Sequence, residues 1–251
     1  MNRLYSRSHF SLALAETLVV FALVGCNSLP GRPGPGPEVV RPDEVLDFNT
    51  LYQQNCSACH GAEGKGGAAI SLADPVYLAL TDDATFRRTT ANGVPGTAMP
   101  AFARSAGGTL TDRQIDVLVE ESRVRWAKPG ALDGASPPSY RASASGDAGR
   151  GAEVYETFCA SCHGPGGKGR GKLGSIVDGS YLATVSDQGL RTTVIVGVPD
   201  LGAPDWRGNL PGRPMTDQQV SDVVAWLVAQ RPKFPGQPYP SGPGPATGGS
   251  Q

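Results

Sequence analysis

The sequence predicts an all-α protein of two tandem domains joined by a linker rich in Pro, Gly, Ser and Ala. Three observations lead there. First, blocks recur in order along the chain: Tyr52-Gln-Gln-Asn-Cys56 matches Tyr155-Glu-Thr-Phe-Cys159, Asp74-Pro-Val-Tyr-Leu78 matches Asp178-Gly-Ser-Tyr-Leu182, Gly93-Val-Pro95 matches Gly197-Val-Pro199, and Thr111-Asp-Arg-Gln-Ile115 matches Thr216-Asp-Gln-Gln-Val220. The offsets run only from 103 to 105, so an internal duplication is the simple explanation. Second, Ile115, Leu118, Val119 and Ser122 recur at helical spacing, as do Val220, Val223, Val224 and Leu227. Third, no stretch carries a convincing strand pattern.

Each repeat reads as three main helices. The first runs into a cysteine motif, over 43–55 and 148–158. A short one spans 83–92 and 187–197. The last is capped by Thr111 or Thr216, with an Asp following in the first turn. Thr192-Thr-Val-Ile-Val196 is β-branched and reads as strand on propensity alone. The repeat sets it opposite Arg88-Thr-Thr-Ala-Asn92, so it is assigned to a helix end. Trp126 and Trp226 fall on the final helices and are expected to be core aromatics.

These elements divide the chain into a leader (1–25), a tether (26–42), a first domain (43–128), a linker (129–146), a second domain (147–231) and a Pro/Gly-rich tail (232–251) expected to be disordered. Arg3 and Arg7 precede the apolar run Leu18-Val-Val-Phe-Ala-Leu-Val-Gly25, which is the size of a signal peptide and too short to span a bilayer comfortably. Leu23-Val-Gly-Cys26 resembles the lipobox of bacterial lipoproteins. It implies lipidation at Cys26 and export. Leu29-Pro-Gly-Arg-Pro-Gly-Pro-Gly-Pro37 then reads as a flexible to semi-extended tether.

Charge argues against some partners. The chain carries a formal net charge of −1. Residues 47–128 hold 8 basic and 9 acidic groups, and residues 147–231 the same numbers. Neither half has the basic excess of a nucleic-acid binder. Each compact part is roughly 80–85 residues, a size at which an apolar core alone is marginal and a large buried cofactor would help.

The five cysteines locate the chemistry. Four lie in Cys56-Ser-Ala-Cys59-His60 and Cys159-Ala-Ser-Cys162-His163. Two thiols three residues apart on a helical turn can each add to one vinyl group of the same haem. The adjacent imidazole then lies under the iron. This is the signature of covalent c-type haem attachment. The rivals are a redox Cys-x-x-Cys, which wants a βαβ surround that is absent, and a zinc site shared by both motifs. Glycines follow each histidine and let backbone pass close to a flat ligand. Two haem c groups are therefore expected, held by Cys56, Cys59, Cys159 and Cys162 and ligated by His60 and His163.

Helix–Cys-x-x-Cys-His-Gly, then a loop with Gly93-Val-Pro-Gly-Thr-Ala-Met99-Pro100-Ala-Phe102, then a final helix resembles class I cytochrome c over 47–128 and 147–231. It is nearest in character to the c-type subunits and dihaem cytochromes of bacterial respiratory chains. The resemblance implies that Met99 is the distal iron ligand. It also implies electron transfer on the periplasmic face of a membrane, with redox proteins as partners: a quinol-oxidising complex, an oxidase or a soluble cytochrome. No enzymatic activity is expected of the chain itself.

The second repeat departs from this pattern. Gly202-Ala203-Pro204-Asp-Trp206 places Ala203 where Met99 stands in the first. The only other methionine in that half is Met215, which aligns with Leu110 and would pack before the Thr216 cap. With three histidines in the chain, His9 in the leader and the others in the motifs, bis-His ligation is excluded. Met215, Lys168, Lys172, water or no ligand remain. Loss of Met ligation is expected to lower the potential of the second haem. An open iron would also suit a peroxidase-like enzyme, for which no acid–base histidine remains, or a small-ligand sensor, for which no output domain is present.

Overall fold

The computed structural model describes residue 36 and residues 39–232. The leader, Cys26, most of the tether and nearly all of the tail lie outside the described residues. From residue 43 onward the described chain belongs to one compact unit that contains both repeats. Among the described residues there are ten α-helices, four short 3₁₀ turns and three isolated β-bridges, with no strand. None of these helices is long and apolar enough to cross a membrane.

The first repeat comprises α1 (Phe48–Asn55), α2 (Ser57–His60), α3 (Pro75–Leu80), α4 (Asp83–Asn92) and α5 (Asp112–Trp126). The second repeats the order as α6 (Ala148–Phe158), α7 (Ala160–His163), α8 (Gly179–Thr184), α9 (Asp187–Val196) and α10 (Asp217–Ala229). Short polar side chains start these helices by accepting from otherwise orphaned N–H groups. Asp47 accepts from Thr50 N, Asp74 from Val76 N and Tyr77 N, and Asp82 from Thr85 N. Asp147, Asp178 and Ser186 do the same in the second repeat. The final helices α5 and α10 both begin with full capping boxes, Thr111 with Gln114 and Thr216 with Gln219.

Two expectations change. The first helix does not run unbroken from residue 43. A 3₁₀ turn, Pro42–Glu44, is separated from α1 because Asp47 caps the helix and the Val45 carbonyl accepts from the buried Gln114 side chain at 3.0 Å. The short α3 and α8 also form, each from an Asp cap, in segments read only as repeat markers. The β-branched 192–196 run is helical within α9. Thr192 Oγ1 donates to the Gln188 carbonyl at 2.7 Å, and Ile195 and Val196 are buried.

The repeats are closed differently. In the first, α1 meets α5 through Phe48, Tyr52 and Trp126, with ring centroids 5.2–5.6 Å apart. In the second, α6 crosses α10 closely at Gly151, and Tyr155 stacks on Trp226 at 4.3 Å. The tryptophans thus sit where first and last helix meet.

The segment between the repeats is tied to the second one. Arg191, buried at 3% exposure, donates to the Ser139 carbonyl, to Ser221 Oγ and to Asp217. Asp217 also accepts from Ser139 N at 2.9 Å, and Gln188 Nε2 donates to the Tyr140 carbonyl at 2.7 Å. The repeats touch between α3 and α9, and Arg207 reaches back to the Ala131 carbonyl at 3.3 Å.

Candidate haem centres

Cys56 is a junction. Its N–H donates to the Tyr52 carbonyl at 2.8 Å and ends α1, while its own carbonyl accepts from His60 N at 3.0 Å and starts α2. Cys56, Cys59 and His60 therefore share one helical turn. The second motif repeats this, with Cys159 N donating to the Tyr155 carbonyl at 2.8 Å and His163 N to the Cys159 carbonyl at 2.9 Å. Burial raises the first thiol of each pair, Cys56 to about 12 and Cys159 to about 11.

His60 is 6% exposed. Its Nδ1 lies 2.8 Å from the Ile70 carbonyl oxygen. A carbonyl only accepts, so the proton belongs on Nδ1 and Nε2 keeps its lone pair. That Nε2 is buried and has no hydrogen-bond partner. Burial also holds the imidazole below its ordinary pKa, which keeps it neutral. A buried, neutral imidazole fixed by a carbonyl on one nitrogen and unpartnered on the other is what a metal needs from histidine. The residues fit a haem iron.

His163 differs. It is partly buried and its pKa is likewise lowered by burial, but its Nδ1 is buried without a partner. The repeat register sets Gly174 at the place of Ile70, and the loop there does not present its carbonyl to the ring.

The loop after each histidine folds back on the motif. Ala69 N donates to the Cys59 carbonyl and Gly169 N to the His163 carbonyl, both at 2.9 Å. Tyr52 Oη donates to the Gly61 carbonyl at 2.9 Å, and Tyr155 Oη to that of Gly164. These clamps were not anticipated, although Tyr stands four residues before the first Cys in both repeats. The Ile70 carbonyl carried no signal, because a backbone acceptor does not depend on residue type.

Met99 lies partly buried in the loop after α4, where its carbonyl accepts from Val94 N at 3.0 Å. In the second repeat Val198 N donates to the Ala203 carbonyl at 2.9 Å. Phe102 N donates to the Ala91 carbonyl as Trp206 N does to that of Ile195. Leu110 N donates to Phe102 O as Met215 N does to Trp206 O, at 2.8 and 2.9 Å. Gly93 (φ 66°) and Gly197 (φ 73°) end α4 and α9, and a Cβ on either would strike the backbone of the Pro100 or Pro204 segment. The loops share one framework, with Ala203 at the place of Met99 and Met215 at that of Leu110. Among the described residues no group of three or more His, Cys, Asp or Glu could hold a metal ion, so the motifs do not converge on a shared zinc site.

Comparison with known proteins agrees with this geometry. The family model "Cytochrome C oxidase, cbb3-type, subunit III" matches residues 43–120, and "Cytochrome c" matches residues 148–230. A cbb3-type cytochrome c oxidase subunit CcoP of Azospirillum sp. (strain B510) is 31% identical over 158 residues, 57% of this chain and 48% of its own length. A cytochrome bc1 complex cytochrome c subunit of Mycobacterium bovis is 25% identical over 242 residues, 92% of this chain and 82% of its own. The chain thus spans about half the CcoP relative and most of the mycobacterial one. The chain carries two cytochrome c domains in tandem, each of a kind that implies haem c, and is related to the cytochrome c subunits of respiratory complexes.

Proposed function

We propose that this chain is a two-haem c-type cytochrome that carries electrons in a bacterial respiratory or photosynthetic chain. It works on the outer face of the membrane, held by a lipid on Cys26, as a subunit or immediate partner of a quinol-oxidising or oxidase complex. The observation that carries the reading is the unpartnered, buried Nε2 of His60 behind a Cys-x-x-Cys turn, with the same turn repeated at His163. The relatives support it, since they are named as subunits of a cbb3-type oxidase and of a bc1 complex.

Haem supplies the one-electron chemistry. The chain supplies the rest. The cysteine pairs tether the group, and the Ile70 carbonyl sets the tautomer and orientation of His60. The Tyr52 and Tyr155 clamps hold the turns that carry the histidines. Burial lowers the pKa of both imidazoles and so favours their neutral form. Met99 ligation would raise the potential of the first centre above that of the second, so an electron would move from the second to the first.

The test is the exported holoprotein. A pyridine haemochrome assay should find two haems per chain, and a redox titration two one-electron steps, with the lower lost in the Cys159→Ser/Cys162→Ser variant. Cys26→Ser should move the protein from the membrane to the soluble fraction. Fewer than two haems, or no reversible step, would overturn the reading.

A further inference from the structure

We infer that the two centres are built for different sixth ligands: the first is closed by Met99, while the second offers its iron no side chain and takes a small neutral ligand such as CO or NO when reduced. The inference rests on the proposed function, since it needs both motifs to carry haem.

The first support is that Ala203 occupies the ligand position within the same backbone frame, although the second loop adds a 3₁₀ turn at Pro199–Leu201. Three backbone hydrogen bonds frame Met99 in the first repeat: 94 to 99, 102 to 91 and 110 to 102. Their counterparts frame Ala203: 198 to 203, 206 to 195 and 215 to 206. The glycine at the start of each loop meets the same neighbours, Met99 O and the Pro100 carbonyl carbon for Gly93, Ala203 O and the Pro204 carbonyl carbon for Gly197. A methyl group thus stands where a thioether should reach the iron.

The second support is that the alternative donors are buried, paired or carried on a different loop. Met215 is 2% exposed, takes the place of the core residue Leu110, and has the Asn209 amide 3.7 Å from its sulfur. Trp206, whose carbonyl accepts from Met215 N, is 1% exposed, so both side chains of this corner are buried. Asp205 is held by Arg207 through both carboxylate oxygens, at 2.6–3.1 Å. Lys168 and Lys172 are exposed on the loop that folds back onto His163, and Lys172 sits inside the reciprocal Arg170–Leu173 backbone pair. That loop is the one continuous with the histidine and not the one that carries Ala203.

A ferrous haem with only one strong protein ligand binds π-acceptor diatomics, and one with histidine and methionine does not unless the methionine leaves. The experiment is CO titration of the dithionite-reduced holoprotein, with haem content measured in parallel. Wild type should bind one CO per chain, half its haem. Ala203→Met should abolish that binding and convert the second haem to low spin. Met215→Leu should leave both CO stoichiometry and spin state unchanged, and Met99→Ala should double the CO bound. Two haems per chain with no CO bound would overturn the inference and leave the electron-carrier reading standing. So would a gain of CO binding in Met215→Leu. A chain with fewer than two haems would instead overturn the reading beneath it.

Discussion

Gly151→Ala should destabilise the second domain, whereas Gly149→Ala on the same helix should not. A Cβ at Gly151 would lie 2.1 Å from the Asp222 carbonyl oxygen and 2.7 Å from Trp226 Cβ. Ordinary van der Waals contact begins at 3.4 Å, so α10 would have to retreat by about 1.3 Å. The nearest atom is backbone and the Trp226 Cβ is fixed to backbone, so neither can swing aside. Ala gains about 1 kcal/mol over Gly in a helix, but overpacking of this kind costs about 1–3 kcal/mol or more. Retreat of α10 also spoils the Tyr155–Trp226 stack at 4.3 Å. Because backbone must move, the cost lies at the upper end of that range, and the net loss of about 2 kcal/mol corresponds to a fall in Tm of about 4–8 °C for a chain of this size. At Gly149 the nearest atom is a side-chain oxygen of Asp147 at 3.2 Å, so the propensity gain and a small adjustment of the cap should nearly cancel. Thermal unfolding of the holoproteins, followed by far-UV circular dichroism, measures both. A Gly151→Ala protein melting within about 1 °C of Gly149→Ala would refute the close helix crossing.

Two further outcomes follow from polar groups in the same domain. The Asp222 carboxyl, 4% exposed, accepts from Arg150 twice, from Asp147 N and from Gln218; these bonds, Arg150 first, hold it at about 2. Its folded pKa lies below the unfolded one, so its contribution is present above about pH 4 and is lost as pH falls toward 2. Asp222→Asn should cost about 1.5–3 kcal/mol at pH 7, and its Tm deficit against wild type should shrink between pH 4 and 2. A deficit constant across that range would count against the pairing. Arg191→Met should cost about 1–3 kcal/mol, because it strips the Ser139 carbonyl and the partly exposed Asp217 carboxylate of their donor. It should also speed limited proteolysis between residues 128 and 146, and unchanged cleavage there would show that Arg191 does not hold the segment.

Much of this protein is legible residue by residue. The Cys-x-x-Cys-His turns are chain-local chemistry, so their spacing alone places two thiols and an imidazole together. The helix starts are local too, since Asp82, Asp147, Thr111 and Thr216 each cap the N–H group three residues on. The duplication marks Ala203 as the odd residue through its alignment with Met99. What needed the tertiary structure depends on approaches between distant segments. The Ile70 carbonyl meets a ring ten residues away and decides which His60 nitrogen is free. Tyr52 and Tyr155 each reach nine residues to a glycine carbonyl. Gln114 draws in the Val45 carbonyl and breaks the expected first helix. Arg191 spans 52 residues to fasten what composition suggested was a plain linker. The sequence by itself determined where the two Cys-x-x-Cys-His turns lie and which repeat has Ala203 in place of Met99, because those are matters of residue identity and short spacing. Only the tertiary structure decided which groups meet the two histidine turns and that Met215 is buried beside Trp206, because both are set by long-range packing.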